Sequence, residues 1–233
     1  RRVGDGGRGE AGRGAAGAHV NEAKLTLRRL DAAAPGFERD LAALTAFESA
    51  QDAEVASKTI AEKGLLIVHS GTGKGKSTAA FGLVLRMVGN GGKCAVVQFI
   101  KGAWNTGERS VLESFGNMVR WYTLGEGFTW ETQDKARDMQ AAARAWETAK
   151  GLMQDPDLKL IVLDEINIAL RYDYLPLAEV VETLKARRRD LHVAVTGRNA
   201  KRELIEAADL VTEMTLVKHH FAAGVKAQAG IEY

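Results

Sequence analysis

"HSGTGKGKST", residues 69–78, sets three glycines, two lysines and four hydroxyl residues between an apolar run, "LLIVH" (65–69), and a helix-like segment, "AAFGLVLRMVG" (79–89). Strand, glycine loop and helix in that order make a phosphate-binding P-loop. Glycines let backbone N–H groups turn inward around phosphate oxygens, and the helix dipole adds partial positive charge at the same point. Lys76 supplies a full charge and Ser77 a hydroxyl for Mg²⁺. The nucleotide-binding set expected from the loop is Ser70, Gly71, Thr72, Gly73, Lys74, Gly75, Lys76, Ser77 and Thr78. The strict pattern opens with Gly five residues before Gly75, and here that position is Ser70.

Short β-branched runs recur after the loop: "CAVVQFI" (94–100), "MVRWY" (118–122), "LKLIVLD" (158–164), "LHVAVTG" (191–197) and "DLVTEM" (209–214). Continuous apolar runs suit strands buried on both faces, as in a parallel sheet between helices. The expected fold class is therefore α/β, a P-loop NTPase (RecA-like) domain with a mostly parallel sheet flanked by helices. Residues 64–233 are assigned to that domain. Residues 21–63, rich in Ala, Leu and Glu and broken at "APGF" (34–37), read as a helical N-terminal extension of two helices, with Leu41, Leu44, Phe47 and Val55 as an apolar stripe. Residues 1–20, dominated by Gly, Arg and Ala, have too few side chains to offset ordering entropy and read as disordered.

The second element of chemistry is Asp164-Glu165, closing the run "LKLIVLDEI". Acidic residues at the end of a buried strand in a P-loop fold stand where they hold Mg²⁺ or Mn²⁺, directly or through water, beside Ser77. Lys76, Ser77 and Glu165 are thus the expected catalytic residues, and Ser77, Asp164 and Glu165 the metal side. Glu165 is alternatively a base for water.

Bulk properties narrow the setting. With 32 basic and 30 acidic residues the net charge is +2, which gives no support to a nucleic-acid partner. Cys94 is the single cysteine, so neither an intramolecular disulfide nor a cysteine-cluster metal site is available. No apolar run approaches the ~18 residues of a membrane span. A cytoplasmic location is expected, with an organelle as the alternative if the Arg-containing N-terminus, which begins at Arg1 without Met, is a transit remnant. "KARRRD" (185–190) reads as a solvated helix end, and "VKHH" (217–220) as part of a structural tail.

A P-loop and an acidic strand end serve motors, kinases, switches and transferases alike, so fold does not choose among them. Other segments do: "VVQFIKGAWNTGER" (96–109), "GEGFTWETQD" (125–134), "VLDEINIALRYDYLPLAEV" (162–180), "VTGRNA" (195–200) and "VKHHFAAGVKAQAGIEY" (217–233). Together with the loop they resemble the P-loop ATP:corrinoid adenosyltransferases, from about Gly64 to Tyr233. That family's loop also opens on a hydroxyl residue, as Ser70 does here. The resemblance implies that a Co(I) corrinoid attacks the 5′ carbon of ATP and expels inorganic triphosphate, in adenosylcobalamin biosynthesis or salvage. ATP is then a reactant rather than a fuel, and the loop grips its leaving group. It further implies that Arg86 contacts nucleotide and that Phe128 and Trp130 line the corrinoid. A flavodoxin-like or flavin reductant and a homodimer are likewise expected from the resemblance. It does not extend over residues 1–63, where relatives carry a basic segment that folds over the corrinoid. The rival readings are a hydrolytic P-loop ATPase, with Arg198 or Arg202 as an arginine finger, and an ATP-binding regulatory module.

Overall fold

The computed structural model describes residues 37–59, 62–100, 107–125 and 135–232. The chain divides into two compact units, residues 1–61 and 62–233. Of the first unit, one helix is described, α1 (Phe37–Ala56). It begins directly after Pro35-Gly36, where proline removes a backbone donor and glycine disfavours helix. Phe47 and Val55 are exposed on it. The expected apolar stripe is therefore not buried at those two positions, while the side chains of Leu41 and Leu44, and the other expected helix, lie outside the described residues.

Among its described residues the second unit carries six strands: β1 (Leu66–Ser70), β2 (Lys93–Gln98), β3 (Val119–Thr123), β4 (Leu158–Asp164), β5 (His192–Thr196) and β6 (Leu210–Glu213). They form one sheet in the order β3-β2-β4-β5-β1-β6, and every pair is parallel. The helices are α2 (Lys76–Gly89), α3 (Gly107–Glu113), α4 (Lys135–Met153), α5 (Ile166–Arg171), α6 (Leu177–Ala186) and α7 (Arg202–Ala207). A parallel pair cannot be closed by a tight turn, so helices cross over and cover both faces.

Alternation along the strands sorts the core into two layers. Ile67, Val96, Val162 and Ala194 face Ala80, Phe81 and Val84 of α2. On the other face, Val68, Val97, Ile161 and Val195 pack with Ala145 and Trp146 of α4 and with Val180 and Leu184 of α6. The three-layer α/β architecture with a RecA-like strand order follows, because β5 is inserted between the loop strand β1 and the acidic strand β4.

Burial on both faces holds for the four inner strands but not at the edges. Every residue of β6 is exposed and most of β3 is half-buried. An edge strand has one neighbour only, so its apolar side chains are covered from fewer directions.

The run "KARRRD" is not simply a solvated helix end. The Arg187 guanidinium donates to the carbonyls of Leu184, Leu191 and Gly64 at 2.7, 3.1 and 2.6 Å. Arg188 donates to the carbonyls of Asp155 and Leu158. A planar fork of five donors suits this clustering of helix-end and loop carbonyls. Gly64 lies against the same point, where a Cβ would come 2.2 Å from the Leu191 carbonyl oxygen.

Candidate nucleotide and metal site

The glycines of 71–75 are required by the backbone itself. Gly71 has φ +99°, and a Cβ there would come 2.4 Å from the Met214 carbonyl oxygen. At Gly73 the nearest approach is 2.8 Å, to the same oxygen, which accepts the Gly73 N–H at 2.6 Å. The segment after β6 thus lies flush against the loop, leaving no room for side chains. Gly75, at φ +101°, turns the chain into α2.

Ser70 stands at the strand end with its hydroxyl buried and accepting from Ala200 N–H at 3.1 Å. In that position the hydroxyl ties the loop to the turn after β5. Thr72 accepts from Leu216 N–H at 3.4 Å. Lys76, buried at the head of α2, folds back to donate to the Gly73 carbonyl at 2.5 Å. Burial pushes its ammonium below the ordinary lysine range, with Arg198 and Lys74 adding to the effect and Glu165 opposing it. Arg198, exposed on the turn "GRNA" that follows β5, therefore belongs to this electrostatic environment.

Ser77 begins the second half of the site. Its hydroxyl donates to Asp164 Oδ1 at 2.7 Å. Asp164 is fully buried and also accepts from Thr196 Oγ1 at 2.8 Å and Gln98 Nε2 at 2.9 Å. Thr196 in turn accepts the Glu165 N–H at 2.9 Å. Glu165 sits at φ 64°, a left-handed conformation costly for a residue with a side chain and concentrated at functional sites. Its carboxylate faces Gly197, where a Cβ would come 3.1 Å from Oε2. Ser77 and Asp164 are thus brought together, with Glu165 next along the chain and its charge acting on Lys76, and hydroxyl and carboxylate oxygens are donors that suit a hard cation such as Mg²⁺.

Arg86 is not gathered into the loop. It lies exposed in the last turn of α2, about 15 Å of helix rise beyond Lys76. Thr78 is exposed at the start of α2 and borders a cavity of about 590 Å³ with Phe81, Leu85, Val111 and Ile231. Phe128 and Trp130 lie outside the described residues.

Three contributors were not singled out from sequence. Gln98 and Thr196 were each visible as a polar residue closing an apolar strand. Glu232 had no such signal. It reaches Lys74 Nζ at 2.7 Å and lies 3.3 Å from His220 Nε2, drawing the C-terminal tail onto the loop. His69, one residue before Ser70 on β1, is buried, and burial lowers its pKa. Among the described residues no helix is long and apolar enough to cross a membrane.

A serine at a helix head resting on a strand-end carboxylate, beneath a glycine loop, places this domain in the P-loop class of nucleotide-binding proteins. Within that class, the chain belongs to the ATP:corrinoid adenosyltransferase family: the family model described as "ATP:corrinoid adenosyltransferase BtuR/CobO/CobP" matches residues 62–233. It is 58% identical over 188 residues to a corrinoid adenosyltransferase of Sinorhizobium sp., covering 80% of this chain and 87% of that one. A corrinoid adenosyltransferase of Pseudomonas aeruginosa is 56% identical over 74% of this chain and 85% of its own. One of Escherichia coli is 49% identical over 74% and 87%. The chain is accordingly an enzyme of the transferase class, and ATP and a corrinoid are the substrates that fit its family.

Proposed function

We infer that the protein transfers the 5′-deoxyadenosyl group of ATP to the Co(I) centre of a corrinoid and releases inorganic triphosphate. The observation that carries this reading is membership of the family over residues 62–233. In the reaction the cobalt electron pair forms the bond to C5′, the C5′–O bond breaks, and its pair leaves on triphosphate. No proton has to be abstracted, so the protein's task is to stabilise a polyanionic leaving group.

The loop residues 70–78 bind the triphosphate, with backbone N–H groups and the α2 terminus supplying donors and Lys76 a buried charge. Lys74 joins them from the exposed side. Ser77, Asp164 and Glu165 hold Mg²⁺, or Mn²⁺ in its place. Bound there, the ion supplies charge that makes triphosphate a better leaving group. The Ser77 to Asp164 hydrogen bond supports that assignment, because it sets the hydroxyl and the carboxylate at one point. Phe128 and Trp130 contact the corrinoid. A homodimer, a flavodoxin-like or flavin reductant that delivers Co(I), and a cytoplasmic setting complete the reading.

The test is to mix the protein with Mg-ATP and chemically generated cob(I)alamin. Adenosylcobalamin is followed by absorbance, and triphosphate and orthophosphate are assayed together. Adenosylcobalamin with stoichiometric triphosphate is expected. Orthophosphate without a cobalt–carbon product would replace this reading by hydrolysis.

A further inference from the structure

We propose that Gln98 is a positioning residue that orients Asp164 toward Ser77. Asp164 has two oxygens and three side-chain donors. Ser77 and Thr196 share Oδ1, and among the described residues Gln98 Nε2 alone meets Oδ2, at 2.9 Å. Two donors hold Oδ1, so the Gln98 donor is what fixes the second oxygen and with it the plane of the carboxylate.

The amide's orientation is decided by chemistry at its other end. Trp121 Nε1 lies 3.2 Å from Gln98 Oε1, and an indole N–H can only donate. Thr123 Oγ1 adds a second donor to Oε1 at 3.1 Å. Oε1 therefore faces the edge strand β3, and Nε2 necessarily faces Asp164. Gln98 is 2% exposed, and its backbone carbonyl accepts from Leu124 and Gly125 N–H at 3.2 and 3.3 Å, so the residue is held from main chain and side chain together.

The registers of the sheet explain how these groups meet. Gln98 pairs with Asp164 on one side and with Thr123 on the other. Side chains at paired positions of a parallel sheet share a face, so three neighbouring strands present a continuous polar row at one level. The row ends at the serine of the phosphate loop.

The inference rests on the reading of Ser77 and Asp164 as the metal side. Its test is equilibrium binding of ATP to the full chain without corrinoid, measured in EDTA and with Mn²⁺, free Mn²⁺ being read by electron paramagnetic resonance. Gln98→Met keeps the length of the side chain and adds no charge but removes the donor at Asp164, while Trp121 Nε1 keeps Thr123 Oγ1 as its acceptor. The expected result is a loss of Mn²⁺ affinity in the ATP complex of about tenfold or more, the usual effect of removing an outer-shell partner, with metal-free ATP binding unchanged. Thr123→Val, which withdraws one donor from Oε1, is expected to shift Mn²⁺ affinity in the same direction by a smaller factor. It decides the matter if Gln98→Met does not fold. Unchanged Mn²⁺ affinity in the folded variant overturns the proposal, as does an equal loss of ATP binding with and without metal. If Mn²⁺ does not strengthen ATP binding even in the wild type, the metal reading itself fails and the inference falls with it.

Discussion

The Lys74 ammonium and the Glu232 carboxylate, 158 residues apart, meet at 2.7 Å over the mouth of the phosphate loop. A carboxylate there occupies the charge that a triphosphate would use. Lys74 is 59% exposed, so water screens the pair and its intrinsic strength is small. Lys74→Ala is expected to weaken inorganic triphosphate binding. Glu232→Gln is expected to strengthen it a few-fold at most, since the lysine no longer has to leave a partner. Calorimetric titration of both variants measures this, and equal affinities would remove Lys74 from the binding set.

Triphosphate binding is expected to take up protons at alkaline pH. Burial holds Lys76 below its ordinary value of 10.5, and a polyanion beside it raises that value again. Between the lowered and the raised value the free protein is neutral at Lys76 and the complex is charged, so binding weakens as pH rises through this window. The stability of the ligand-free domain has the opposite slope. In the unfolded chain Lys76 binds its proton up to 10.5, so folding gains as pH rises from the lowered value toward 10.5. Titrations in two buffers of different ionisation enthalpy read the proton count, and Lys76→Met should abolish the Lys76 share of it.

Arg187→Met should destabilise the domain without touching the site. Three carbonyls, of Gly64, Leu184 and Leu191, lose their donor. Leaving part-buried acceptors unpaired costs about 1–3 kcal/mol. For a domain of this size that lowers the melting temperature by roughly 2–10 °C. Arg187→Lys should recover only part of the loss, because a single ammonium cannot span the positions that the guanidinium fork reaches. Thermal unfolding of the three proteins orders them.

Cys94 should not react with iodoacetamide in the folded protein. It is fully buried on β2, and burial raises its thiol to about 12. At pH 8 its thiolate fraction is on the order of a thousandfold below that of a free cysteine. Labelling should appear only with unfolding, as followed by mass spectrometry across a denaturant series.

Much of this was legible in the chain because it is local. Pro35-Gly36 marks the start of α1, and the run 158–164 coincides with β4. Gly71, Gly73 and Gly75 announce a loop in which a Cβ at 71 or 73 would strike the Met214 backbone and one at 75 would be strained by its positive φ. The other strands differ from their apolar runs by one or two residues at an end, where pairing in the sheet rather than composition sets the limit. β6 is as β-branched as its neighbours, yet it is exposed throughout. Nothing in "DLVTEM" says that it has a neighbour on one side only.

The sequence by itself determined the class of fold, the phosphate loop, the acidic strand end and the family, since each is written in residues adjacent along the chain. Only the tertiary structure decided which distant residues complete the site. Gln98, Thr196 and Ser77 meet at Asp164 because strand order and register bring four separate segments to one level. Glu232 meets Lys74 because the tail returns across the loop. Such contacts depend on pairings between segments many residues apart, and neither hydrophobic period nor local spacing carries that information.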